Sequence, residues 1–318
     1  MSPAAAATAR RTLRAVVIGP GARRALGDGF DGTIELVFGR GGYVRCGERW
    51  VLLAPARSPV GPLSVLVAGL VRGDLVPGAG AAVSEGALVA GSLRIELAGA
   101  RVPPPLRAGG EPAVGWDDAL AAALGAVAPA PDALVPGLGA LAASDLEAAV
   151  AQLAGRGEGL TPAGDDVLAG FAGWRWARGA PIALPAQRCA PLGRGYLRCA
   201  ERGELPSPVA VLLSAIRAGD APAAARRAGR LTEWGASSGA ALLWGMAAGA
   251  AEAARGQTRE PPAATCYCSL PGAVVSPSTV RGSPPPTAIC TRCGVGCSGL
   301  GMRTSSTPLS SAAVTAPA

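Results

Sequence analysis

The residues best equipped for chemistry stand between Gly157 and Trp176, Gly-Glu-Gly-Leu-Thr-Pro-Ala-Gly-Asp-Asp-Val-Leu-Ala-Gly-Phe-Ala-Gly-Trp-Arg-Trp. Thr161-Pro162 reads as a helix start: the hydroxyl can take a free backbone N–H, and proline at the first position forfeits only an unpartnered donor. Asp165 and Asp166 fall in the first turns, where the helix dipole favours carboxylates. Free N–H groups at such a start, Gly159 and Gly164 included, bind phosphate or carboxylate. Adjacent aspartates can hold a magnesium ion or accept from a substrate amide. Successive helical residues point about 100° apart, so the two acids have different work, one facing a ligand and the other supporting or capping. A capped core helix with no ligand is the plain alternative.

A second stretch echoes the first. Ala163-Gly164, five residues, then Gly170 is matched by Ser238-Gly239, five residues, then Gly245. Two glycine-faced helices of this kind can pack closely with their N-termini converging on one anion, which makes Ser237, Ser238 and Gly239 candidate ligand contacts. Chance likeness between alanine- and glycine-rich helices is the alternative.

Composition removes much other chemistry. The chain has 318 residues, 49% of them hydrophobic, and a formal charge of +7; His, Lys and Asn are absent, so all 29 basic residues are Arg. There is no Ser-His-Asp triad, no histidine-bound zinc, no lysine Schiff base and no lysine-dependent P-loop. Carboxylate, hydroxyl, thiol, guanidinium and backbone-amide chemistry remain. The bias towards Ala, Gly, Pro and Arg points to a GC-rich bacterial genome, which weakens a functional reading of the charge. No block of interleaved Arg and aromatic residues suits nucleic acid.

The elements that must position these residues fall in two parts. Ala15–Ile18, Thr33–Phe38, Tyr43–Cys46, Trp50–Ala54, Leu63–Ala68, Ala87–Ala90 and Ser92–Leu97 read as strands, with Gly41-Gly42 and Gly47-Glu48 as hairpin turns. They predict a small antiparallel β-barrel or sandwich over 15–101, after a frayed segment 1–14 whose apolar run past Arg10-Arg11 is short for an export signal. Residues 102–112 read as a proline-rich linker. Over 113–256, Trp116–Val127, Ser144–Ala154, Asp165–Ala177, Ala190–Arg202, Pro208–Ala218, Pro222–Leu231 and Gly239–Ala254 read as helices, with Ser144 opening a capping box to Glu147. The class is α+β. Trp234–Ala251 lacks charge and is long enough for a membrane span, yet its serines and glycines fit a buried helix better.

Residues 257–318 change character: no acid follows Glu260, Ser, Thr and Pro abound, and Cys266, Cys268, Cys290, Cys293 and Cys297 cluster there. Cys290-x-x-Cys293 invites a zinc reading, but the other spacings are poor; a disordered tail, or translation out of frame, is the expectation. Cys46, Cys189 and Cys199 suit buried thiols in a reducing cytoplasm.

Gly159–Gly170, Gly-Leu-Thr-Pro-Ala-Gly-Asp-Asp-Val-Leu-Ala-Gly, resembles the signature of a bacterial family named for AllH, a subunit of oxamate carbamoyltransferase. Gly61-Pro62-Leu63-Ser64, Leu197–Glu204 and Gly235-Ala236-Ser237-Ser238-Gly239 support the resemblance, which runs from about Ala15 to Arg255. Two positions depart from the pattern: Glu158 stands where the family has proline, and Ala236 where it has histidine. The resemblance implies a cytoplasmic subunit working with two unrelated partner subunits in purine and allantoin breakdown, where oxalurate and phosphate give oxamate and carbamoyl phosphate. It implies a small anionic substrate, while the residues themselves point to neither nucleic acid nor membrane as partner and to no certain cofactor, with Mg2+ a candidate at the adjacent aspartates. Asp165 and Asp166 are then the candidate catalytic acids, and Gly159, Thr161, Gly164, Ser237, Ser238 and Gly239 the substrate or anion contacts. A non-catalytic anion-binding or scaffold subunit is the alternative.

Overall fold

The computed structural model describes residues 11–258 apart from 28, 40, 111 and 112, with side chains described to residue 255. The cysteine-rich stretch, its zinc reading and its expected disorder lie outside the described residues, as do the first ten.

The first half is a closed barrel built from β1 (Arg11–Ile18), β2 (Asp31–Phe38), β3 (Gly41–Cys46), β4 (Arg49–Pro55), β5 (Ser64–Ala68), β6 (Gly80–Ser84), β7 (Ala87–Ala90) and β8 (Leu93–Glu96). Around the barrel the order is β1-β5-β4-β3-β2-β6-β7-β8. Closure leaves no edge strand exposed. The sheet is not wholly antiparallel, because β4 runs parallel to β5 and β1 closes the barrel parallel to β8. Alternate residues point inward, so Val51 and Leu53, Val65 and Val67, and Leu93 and Ile95 meet in one core with Ile34, Val44 and Leu88. Two expectations about the strands are corrected here. Arg11–Arg14 belong to β1 rather than to a frayed start. Gly41-Gly42 lie in β3, Gly41 paired with Phe38 and Gly42 with Val37 and Leu53, and so do not form the turn. The short helix α1 (Pro20–Ala25), packed on β4 and β5, had no signal in the apolar pattern.

The second half is helical: α2 (Trp116–Gly125), α3 (Val135–Ala142), α4 (Leu146–Leu153), α5 (Ala163–Ala177), α6 (Pro191–Ala200), α7 (Ser207–Arg217), α8 (Ala221–Thr232) and α9 (Ser238–Thr258). The proline-rich run before α2 is pinned rather than free, since Leu106 N donates to Gly203 O at 2.8 Å and Trp176 Nε1 to Leu106 O at 2.7 Å. The cap of α4 is Asp145, not Ser144: its carboxylate accepts from Ala148 N at 3.1 Å, while Ser144 has φ 62° and turns its hydroxyl to Glu252.

The echo seen in the sequence is a structural repeat. Asp145 caps α4 and Asp220 caps α8 in the same way, accepting from Ala148 N and Ala223 N. Before each cap the chain passes through a positive φ, at Ser144 and at Gly219. Each capped helix is then followed by a loop and a long helix, α5 or α9. A side chain on Gly164 would collide with the Leu153 carbonyl at the end of α4, and one on Gly239 with the Leu231 carbonyl in α8. Further along, Gly170 lies against Leu242 O and Gly245 against Val167 O. Glycine at these reciprocal positions lets α5 and α9 approach backbone to backbone, burying α5 from Gly164 to Trp174. Among the described residues no helix is long and apolar enough to cross a membrane.

Candidate functional site

Where the barrel meets the helices, a cavity of about 550 Å³ opens between β3, the β4–β5 loop and the starts of α5 and α9. Thr161 precedes α5 and Ser238 begins α9, and their hydroxyl oxygens stand 3.4 Å apart. The repeat therefore brings the two helix starts to one place. Gly61 and Pro62 come in from the barrel side, in a loop clasped by Ser64, whose hydroxyl donates to Gly61 O at 2.8 Å and accepts from Gly61 N at 2.9 Å. Gly159, Thr161, Asp166, Ser237 and Ser238 line this cavity.

The adjacent acids separate as helical geometry requires. Asp165 is fully buried and turned away from the cavity, its two oxygens accepting from Gly155 N at 2.7 Å and Ala190 N at 2.8 Å. It ties the loop before α5 to the start of α6. Burial pushes its pKa up, against the pull of those two amides, the Cys189 thiol and Arg194. Asp166 faces the cavity with 5% of its surface exposed, and its Oδ2 has no hydrogen-bond partner. Burial raises its pKa to about 7; the Ser238 hydroxyl opposes the shift and the charge of Asp165 adds to it. A carboxyl held near neutrality in a cleft can exchange a proton with a ligand or change its hydrogen-bonding sense with pH.

Gly164 and Gly239 do not line the cavity. Their amides donate to Arg156 O at 2.8 Å and Trp234 O at 3.0 Å, and their missing side chains serve the helix contacts described above. The first amides of α5 are likewise engaged, Asp165 N with Pro162 O at 2.9 Å and Asp166 N with the same oxygen at 3.2 Å. Hydroxyls therefore provide more of the ready donors than bare amides do.

Two residues escaped the sequence reading. Tyr43 projects from β3 and Tyr196 from α6, their hydroxyl oxygens 3.3 Å apart at the cavity wall. Their rings join Trp50, Leu63, Leu192 and Cys199 in the small apolar cluster that seals the barrel against α6. Burial raises both phenol pKa values and the charge of Asp166 adds to the rise, so both rings stay protonated and near that carboxyl. Their only advance signal was the alternation of β3, which turns Tyr43 outward while Val44 points into the barrel. Cys189 and Cys199 are buried thiols, each pushed up to about 12 chiefly by burial, and so are poor nucleophiles.

Charge at the cavity is one-sided. Glu158, Asp166, Glu204 and Glu233 are among its lining residues, and no described lining residue is an arginine. Glu204 is neutralised by a bidentate pair with Arg24 of α1, which also locks the barrel to the segment after α6. Among the described residues no group of three or more His, Cys, Asp or Glu side chains could hold a metal ion.

No curated protein and no solved structure matches the chain. Residues 153–250, the stretch that runs from the end of α4 into α9 and supplies the cavity with Asp166, Thr161 and the paired serines, match the family model of oxamate carbamoyltransferase subunit AllH.

Proposed function

We propose that this chain is a subunit of an oxamate carbamoyltransferase-like complex and that the cavity at the starts of α5 and α9 receives its small substrate. The reaction is the phosphorolysis of oxalurate to oxamate and carbamoyl phosphate, as in purine and allantoin catabolism in a bacterial cytoplasm. The observation that carries the reading is the coincidence of the family match with the residues framing the cavity. In this reading Gly159, Thr161, Ser237 and Ser238 contact the anionic end of the substrate, and Asp166 takes its amide. Asp165, Gly164 and Gly239 hold the frame. Phosphate attacks the carbamoyl carbon directly, so no side-chain nucleophile is required, and polar groups already aimed at the carbonyl lower the barrier. Among the described residues no group of acids fits Mg2+, so the ion has no part in this reading.

A second reading is favoured by the one-sided charge. The lining carboxylates other than the paired Glu204, with no arginine among the described lining residues, suit a subunit that organises the assembly while partner subunits bind the phosphate. Reconstitution separates the two. Purified chain and partner subunits are mixed with oxalurate and phosphate, and carbamoyl phosphate is measured for wild type and Asp166→Asn. Loss of turnover in the variant supports a catalytic site on this chain, and unchanged turnover supports the scaffold.

A further inference from the structure

Tyr43, Tyr196 and Asp166 form a complementary set. The two phenols share one hydrogen bond at 3.3 Å, which consumes one of their two protons and leaves the other free to donate. Asp166 lines the same cavity, near enough for its charge to act on both phenols, and its Oδ2 is buried without a partner, an acceptor short of one donor. An arrangement offering one donor and one acceptor matches the edge of a carbamoyl group, which presents a C=O and an N–H side by side. A carboxylate presents two acceptors, and the second would meet the Asp166 carboxylate. A buried polar group left unpaired costs more than a made hydrogen bond gains, so such a set discriminates strongly.

We propose that Tyr43, Tyr196 and Asp166 select the carbamoyl end of the substrate, the free phenol donating to its carbonyl oxygen and Asp166 Oδ2 accepting from its N–H. The inference rests on the reading of the cavity as a substrate site and adds to it the feature that is recognised. The anionic end then lies towards Thr161, Ser237 and Ser238.

The test uses the purified full chain and two probes of equal size, oxamate and oxalate, with binding measured by calorimetry at pH 8.5. At that pH Asp166 is ionised. The groups that face or influence it are Asp165 on its own helix, Ser238 from α9, Tyr43 from β3 and Tyr196 from α6, with the Glu204–Arg24 pair beyond. Wild type is expected to prefer oxamate by about tenfold or more. Tyr43→Phe/Tyr196→Phe, which keeps both rings in the seam, weakens oxamate five- to tenfold, an amount equivalent to about one hydrogen bond, with no change in melting cooperativity. Asp166→Asn abolishes the preference by improving oxalate. Equal affinity of wild type for the two probes, or unchanged oxamate affinity in the double phenylalanine variant, overturns the inference while leaving the cavity as an oxamate site. Failure of wild type to bind either probe removes the substrate-site reading and the inference with it.

Discussion

Gly170 of α5 and Gly245 of α9 each lie against a backbone carbonyl of the other's helix, Leu242 O and Val167 O respectively. This reciprocal contact is the physical core of the repeat, because it fixes how far apart the helix starts sit and so the distance between Thr161 and Ser238.

A methyl group at either position has no room without separating the helices. Gly170→Ala and Gly245→Ala should each cost about 1–3 kcal/mol, read as a fall in the denaturation midpoint. Gly229→Ala in α8, where nothing lies within 4 Å, should be neutral or should stabilise by about 0.5–1 kcal/mol. Tolerance of alanine at both Gly170 and Gly245 would mean that the helices do not approach so closely.

The two aspartates should respond oppositely to amide substitution. Asp165→Asn leaves one of two buried backbone N–H groups facing another donor and should destabilise by about 1–3 kcal/mol, whereas Asp166→Asn removes a poorly solvated charge and should be neutral or stabilising. Chemical denaturation at pH 8 compares them directly.

The pH dependence of stability follows from the same acids. Both have pKa values raised by burial, Asp166 to about 7. Between the ordinary carboxylate range and about pH 7 the folded protein holds protons that the unfolded chain has released. The stability that Asp166 contributes is therefore fully present below the ordinary carboxylate range and is lost as pH rises through about 7, levelling off above it, and the raised pKa of Asp165 acts in the same direction. Asp166→Asn should flatten that slope between pH 5 and pH 8. An unchanged slope would show that Asp166 titrates normally.

The Arg24–Glu204 pair joins α1 of the barrel to the segment following α6. Arg24→Ala leaves a nearly buried carboxylate without its partner, so the melting temperature should fall by several degrees, whereas Glu204→Gln/Arg24→Ala should recover part of that loss. Equal melting temperatures for the single and double variants would assign the loss to arginine packing alone.

Much of this architecture could be read from local pattern, and the failures have physical causes. Strands with β-branched or aromatic alternation, such as Thr33–Phe38 and Trp50–Ala54, announced themselves. The strand Gly80–Ser84 did not, since Gly-Ala-Ala-Val-Ser carries almost no strand propensity and forms through pairing with β2 and β7. Helix α3 was hidden by Pro136, Gly137 and Gly139, although Gly137 is required by the Leu153 side chain packed on it. Closure of the barrel, and the parallel pairings that achieve it, depend on contacts no window can show. At the candidate site, the opposite orientation of Asp165 and Asp166 followed from the helical turn, and the glycine echo correctly marked α5 and α9 as close partners. Gly164 and Gly239 illustrate the ambiguity of glycine, which suits an anion and a neighbouring carbonyl equally well. Tyr43 and Tyr196 were invisible because they meet only when the barrel docks on α6.

The most direct test of the account is a crystal structure of the chain soaked with oxamate. Oxamate is expected in the cavity between the two helix starts, its carboxylate towards Thr161, Ser237 and Ser238 and its amide at Asp166 and the tyrosine pair. Oxamate bound elsewhere, with Asp166 untouched and the cavity empty of it, would contradict the central claim.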